Sequence, residues 1–183
     1  MYSFNYNITE QDYFDFYKNH LENKKEGKKI VNLYRTIFLV LILTVISLFL
    51  TSGADSLLIL FELVGLSALY VVMFFTAEKI ILRSVRKQIK HLEKKGDRRF
   101  TPNGILTFDE QRITEVTEKT EMKVNYTAIE KVYVTANAFY FYFSPIQAFV
   151  LPYKSFRSQQ ELDEFFNWIR GIVGDSKIAY IKK

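Results

Sequence analysis

The chain of 183 residues contains no cysteine. That excludes a disulfide scaffold, a thiolate zinc site and a thiol nucleophile. Only two histidines occur, His20 and His91, far apart and with no thiol to complete a metal site. A glycine-rich phosphate loop, a nucleophile elbow and a metalloprotease helix motif are all missing. Acidic residues are plentiful, but they fall mostly in turns and on polar faces, where solvated charge is the ordinary explanation. The expectation is a protein with no catalytic, metal or cofactor site.

Long apolar runs are what the sequence does have. Thr36–Leu50 and Leu57–Thr76 are joined by Thr51-Ser52-Gly53-Ala54-Asp55-Ser56. Each run approaches the roughly 20 mostly apolar residues that a helix needs to cross a hydrocarbon core of about 30 Å. A connection this short carries no domain, so Tyr34–Ala77 reads as an antiparallel transmembrane hairpin. Thr44, Ser47 and Thr51 in the first run, and Gly65, Ser67 and Ala68 in the second, are small or hydroxylated. They suit a close contact between the two spans or a dimer interface. Glu62 is the one acid inside an apolar run, little more than one turn from its outer end. An intramembrane acid is a candidate for transport or proton relay, or it faces the headgroups.

Charge orients the hairpin. Asp55 and Glu62 are the only charged residues between Thr36 and Ala77, so removing them from the net +5 leaves +7 on the rest. Lys18, Lys24, Lys25, Lys28, Lys29 and Arg35 precede the first span. Lys79, Arg83, Arg86, Lys87, Lys90, Lys94, Lys95, Arg98 and Arg99 follow the second, and the turn has no Lys or Arg. The positive-inside rule then predicts a multi-pass cell-membrane protein with both termini cytoplasmic. Because the basic residues crowd beside the spans, the surplus points to anionic headgroups and away from nucleic acid.

Outside the hairpin the periodicity changes. Tyr2, Phe4, Tyr6 and Ile8 alternate as one face of a strand, and Thr9-Glu10-Gln11-Asp12 resembles a capping box for a helix bearing Tyr13, Phe16, Tyr17 and Leu21. Glu78–Lys95 continues the second span as a basic amphipathic helix, with Ile81, Val85, Ile89 and Leu92 on its apolar side. Its exposed bases Arg83, Arg86, Lys87 and Lys90 are candidate lipid-headgroup contacts. Gly96-Asp97 and Pro102-Asn103-Gly104 mark a break. A period of two follows from Ile105, clearest where Phe139, Phe141 and Phe143 alternate with Tyr140 and Tyr142. These short strands predict an antiparallel meander of about six. Ser158-Gln159-Gln160-Glu161 caps a helix with Leu162, Phe165, Phe166, Ile169, Ile172 and Val173 as its apolar stripe, and Lys177–Ile181 adds a last short strand.

Phe141-Tyr142-Phe143-Ser144, then Ala148-Phe149-Val150-Leu151-Pro152, then Phe156 and the helix from Ser158 resemble the YcxB-like family of bacterial membrane proteins. Tyr153-Lys154 stands where the family often has a basic pair. The resemblance implies a cytoplasmic domain similar to pleckstrin-homology-like (PH-like) folds and implies no activity.

The expected fold is therefore α+β: a two-span helical hairpin, a cytosolic β-meander capped by a C-terminal helix, and an N-terminal strand and helix. The divisions are 1–33 (strand and helix), 34–77 (hairpin), 78–99 (basic helix) and 100–183 (PH-like module). The N-terminal strand is expected to join the later sheet, since a lone strand cannot bury its apolar face. The expected role is a non-enzymatic binding or regulatory protein of the inner membrane. Its expected partners are the lipid bilayer, a protein segment and possible further copies of the chain, with no nucleic acid and no cofactor. The alternative is a small transporter or channel component using Glu62.

Overall fold

The computed structural model describes residues 1–53, 55–94 and 103–181. Ala54, the break at Gly96-Asp97 and Pro102, the basic residues Lys95, Arg98 and Arg99, and the side chains of Leu92 and Lys94 lie outside the description. The chain divides into two compact units, Met1–Phe16 with Gln88–Lys183, and Tyr17–Lys87.

Among the described residues, the first unit holds all the strands. β1 (Tyr2–Asn7) precedes the helices α1 (Glu10–Asn23), α2 (Lys25–Thr51) and α3 (Ser56–Lys94). Then come β2 (Asn103–Phe108), β3 (Arg112–Thr117), β4 (Glu121–Asn125), β5 (Lys131–Val134), β6 (Ala138–Tyr142) and β7 (Ala148–Pro152). α4 (Gln159–Val173) and β8 (Ile178–Tyr180) close the chain. The strands form two four-stranded sheets, ordered β1-β2-β3-β4 and β7-β6-β5-β8, where a single meander of about six was expected. All pairings are antiparallel except β5 with β8. The parallel return is possible because α4 carries the chain back along the second sheet before β8 begins.

β1 joins the strands beyond the hairpin as its alternation requires. Phe4 stands opposite Leu106 and Tyr6 opposite Gly104, and Phe4, Tyr6 and Ile8 are buried while Ser3, Asn5 and Asn7 are exposed. Ser158 caps α4 by accepting from the Glu161 amide at 3.1 Å, and the Glu161 carboxylate accepts from the Arg157 amide at 2.7 Å. From α4 the Phe165 ring reaches Phe108 of the first sheet (4.9 Å) and Phe139 of the second (5.8 Å), with Phe4 at 5.1 Å. A single buried ring thus seals both sheets, and burial of such a side chain stabilises by about 1.5–3 kcal/mol.

β6 is buried along its whole length. Phe139 and Phe141 face the Phe165 cluster, whereas Tyr140 and Tyr142 face α1, where Phe16 lies 5.5 and 5.8 Å from their rings. A strand covered on both faces reads as a continuous apolar run with two aromatic faces, which is what Ala138–Tyr142 supplies.

The second unit is helical. α2 and α3 form a hairpin and are long and apolar enough to cross a membrane, Lys25–Thr51 over 27 residues and Ser56–His91 over 36. Midway along α3, Arg35 of α2 donates to the Phe74 carbonyl (3.1 Å) and lies over the Phe74 ring (4.0 Å). Leu21, Val31 and Ala77 form a small core there, flanked by Tyr34, Ile81 and Leu82. Gly27, in the first turn of α2, permits this packing: a Cβ would sit 2.2 Å from the His20 carbonyl oxygen and 2.5 Å from the Leu21 Cα.

The small-residue contact expected between the spans is not the one used. Thr44, Ser47, Thr51, Gly65, Ser67 and Ala68 are exposed. Ile42 is buried and Val45, Ile46, Leu63, Leu66, Tyr70 and Met73 are partly covered, at the spacing of one helical face. The hydroxyls need no partner helix, because Thr44 donates to the Val40 carbonyl and Thr51 to that of Ser47 within α2. The outward faces are apolar, with Leu41, Leu43, Leu48, Leu58, Phe61 and Phe75 all exposed.

Candidate functional site

Where β1 runs beside β7, the first unit opens a cavity of about 150 Å³ lined by Tyr6, Ile8, Asp12, Tyr13, Phe16, Glu115, Ala148 and Val150. β1, α1 and β3 meet β7 there for sequence reasons. The alternation of β1 turns Tyr6 and Ile8 inward. The capping box starts α1 so that Asp12, Tyr13 and Phe16 fall over the same spot. In β3, Glu115 shares a face with the fully buried Ile113, so its carboxyl points inward.

α1 is clipped down by charge-assisted bonds. The Asp12 carboxylate accepts from the Thr9 amide and hydroxyl, each at 2.7 Å, and from Lys154 Nζ at 2.5 Å. Burial raises the Asp12 carboxyl, but the bonds from Lys154 and Thr9 outweigh it and hold the group below its ordinary value. Asp15 accepts from Gln11 (2.8 Å) and from Asn137 (3.4 Å), which fixes the same helix to the β5–β6 turn. Glu10 lies 3.9 Å from Lys90.

Glu115 differs from these acids. Its Oε1 accepts from the Tyr6 hydroxyl at 2.8 Å. Burial raises its carboxyl above the ordinary value against the lowering effect of that bond. Burial, with Glu115 adding to it, pushes the Tyr6 phenol far up, so the phenol stays a donor. Phe16, Glu115 and Ala148 also border a second cavity of about 190 Å³, completed by Met122, Phe143, Ile146, Gln147 and Phe149. Cavities of this size hold a side chain rather than a nucleotide or drug-sized ligand, whose sites run from about 300 Å³ upward.

The residues picked from sequence lie elsewhere. Arg83, Arg86, Lys87 and Lys90 are exposed on α3 at spacings that place them on one helical side, while Ile81 and Val85 are partly covered and Ile89 is buried. Glu62 is half-buried in the second turn of α3, and its neighbours one turn away, Leu58, Ile59, Gly65 and Leu66, bring no polar group to it. Among the described residues no cluster of three or more metal-ligating side chains occurs. Glu115 and Tyr6 were missed as a site. The available signal was an acid on the same strand face as Ile113, where solvated charge is the wrong default.

No curated protein and no solved structure matches the chain. A family model matches a stretch that begins at the end of β2, takes in Glu115, β7 and Lys154, and runs into α4, leaving β1 and α1 outside it. Residues 108–169 match the model of the family described as YcxB-like protein, so this stretch is a YcxB-like domain.

Proposed function

We propose that the protein is an integral inner-membrane protein whose strand unit is a PH-like binding or regulatory module on the cytoplasmic face. The observation that carries this is the pairing of β1 with β2 across the whole apolar hairpin. A strand before the hairpin and a strand after it share one ladder, so both ends of the hairpin must leave the bilayer on the same side. The Lys and Arg residues that flank the two apolar runs favour the cytoplasm as that side. Four antiparallel strands, then three more, then a helix packed on both sheets support the PH-like reading. The basic side of α3, Arg83, Arg86, Lys87 and Lys90, contacts anionic headgroups, each base contributing about 1 kcal/mol near the surface. The role is binding and not catalysis: the cleft offers aromatic walls and two carboxylates, Asp12 tied to Lys154 and Glu115 accepting from the Tyr6 phenol.

The absence of native cysteine makes the test clean. Single substitutions Ser3→Cys, Ser52→Cys and Ser176→Cys are labelled with a membrane-impermeant maleimide in intact spheroplasts and again after permeabilisation. Ser52→Cys should label in both, the other two only after permeabilisation. Labelling of Ser3→Cys or Ser176→Cys in intact spheroplasts would overturn the assignment.

A further inference from the structure

Glu115 is a feature that folding alone does not call for. An inward carboxylate costs free energy that a glutamine or an apolar residue would not, yet β3 places one beside the buried Ile113 and opposite the buried Leu106. The other acid that lines the cavity, Asp12, is compensated by Lys154. The nearby cation on β4, Lys123, is 2.7 Å from Glu121. Among the described residues only the Tyr6 hydroxyl favours the ionised Glu115, and no lysine or arginine acts on it. Around the carboxylate stand the rings of Tyr6, Tyr13 and Phe16.

A carboxylate flanked by aromatic rings, in a space of about 150 Å³, complements an organic cation. At roughly 30 Å³ per water, that space takes the head of one long side chain. Anions are disfavoured, because Asp12 and Glu115 both face the cavity and Lys154 is committed to Asp12. A zwitterionic lipid headgroup would carry its phosphate to the same carboxylates. The adjoining cavity is mainly apolar, with Met122 and Ile146 partly open to solvent, and a bare amine would leave it empty.

We propose that the cleft receives an arginine or lysine side chain from an extended segment of a partner protein, with Glu115 as its ion partner. A large apolar residue beside the cation fills the cavity bordered by Met122, Phe143, Ile146 and Phe149. This assignment rests on the reading of the strand unit as a binding module and names what it binds.

The test uses the full chain in phosphatidylcholine nanodiscs, with methyl-labelled Met122 and Ala148 observed by NMR. The probe is acetyl-Leu-Arg-Leu-amide, and the controls carry citrulline or glutamate in place of arginine. The arginine peptide should shift both methyls and bind at least about tenfold more tightly than either control, about 1.4 kcal/mol. Glu115→Gln should erase the preference over citrulline while leaving the unliganded methyl spectrum unchanged outside the cleft. Phe16→Leu should weaken the arginine peptide several-fold. Equal binding of the citrulline peptide, a preference that survives Glu115→Gln, or no methyl response to any probe would overturn the proposal. So would the same shifts produced, without peptide, by nanodiscs containing phosphatidylethanolamine, which would assign the cleft to a lipid amine. The cysteine labelling reads sidedness independently, so a failed ligand assignment and a failed topology are told apart.

Discussion

Tyr6 and Gly104 stand opposite each other in the β1–β2 ladder, and the tyrosine ring lies across the glycine. A Cβ on Gly104 would come within 2.6 Å of the Tyr6 hydroxyl oxygen. The glycine therefore lets the phenol pass over the strand to Glu115. Gly104→Ala should displace Tyr6, break its bond to Glu115 and destabilise the strand unit by about 1–3 kcal/mol, the usual cost of overpacking. Thermal melting of the full-length protein in detergent, followed through the single Trp168, checks this. Trp168 is a suitable reporter because it packs on Tyr2, Tyr126 and Phe165. In a Tyr6→Ala background the added cost of the alanine should shrink; an undiminished cost would mean that the ring is not what meets it.

β1 should be indispensable although the hairpin separates it from its partner. Phe4 is 3% exposed and its ring lies 4.5 Å from Phe156, 5.1 Å from Phe165 and 6.0 Å from Phe108. Phe4→Ala should cost about 3–5 kcal/mol, as large-to-small changes in packed aromatic cores do. Removal of residues 1–8 takes away Phe4, Tyr6 and Ile8 together and should lower the melting temperature further. An unchanged melting temperature for the truncated chain would show that β1 does not belong to this core.

Legibility from sequence followed the range of the interactions. The hairpin was readable because Thr36–Leu50 and Leu57–Thr76 are long apolar runs broken by a single charge, Glu62, and α4 because Ser158 and Glu161 announce its start three residues apart. The alternation of Tyr2, Phe4, Tyr6 and Ile8 was enough to place β1 in a sheet. Its partner was not readable, because the β1–β2 register joins residues about a hundred positions apart. The split into two sheets lies where β5 fails to pair with β4, which no period within either strand announces, and the parallel return of β8 beside β5 was hidden because Ile178–Tyr180 is too short to show a period. Likewise the alternation in β6 announces two faces but not that Phe16 covers the tyrosine face. Glu115 was hidden for the same reason. Its meaning depends on Tyr6, 109 positions earlier, and on which cations fold elsewhere.

The clip between α1 and the turn after β7 should be visible as an acid-sensitive contribution. Asp12 is held below the ordinary 3.8 by Lys154 and Thr9. A folded value below the unfolded one means that the contribution is complete above 3.8 and is lost as the pH falls through the folded value. At neutral pH Asp12→Asn should cost about 1–2 kcal/mol, combining a weakened helix cap with a lost ion pair. The coupling to Lys154→Met in a double-mutant cycle should be about 0.5–1 kcal/mol, since the lysine side chain is 45% exposed and salt screens it. Denaturant melts at several pH values and two salt concentrations measure both. A variant difference that persists unchanged into strong acid would place the effect in packing and not in charge.

Glu115→Gln should have the opposite sign. The carboxyl is raised above 4.5 in the folded protein by burial. In the window above 4.5 the folded state keeps a proton that the unfolded state has released. Stability therefore falls as the pH rises through that window, and the deficit persists above it. Glutamine cannot ionise and still offers Tyr6 an acceptor oxygen. The variant should melt higher than the wild-type protein at neutral pH, and the difference should close as the pH drops below 4.5. Such a gain would mark Glu115 as a residue retained at a cost to stability, which is expected where a side chain serves a ligand and not the core. Equal melting temperatures across the whole range would show that the carboxylate is already compensated in the free protein, and the reason to look for a cationic partner at this position would be gone.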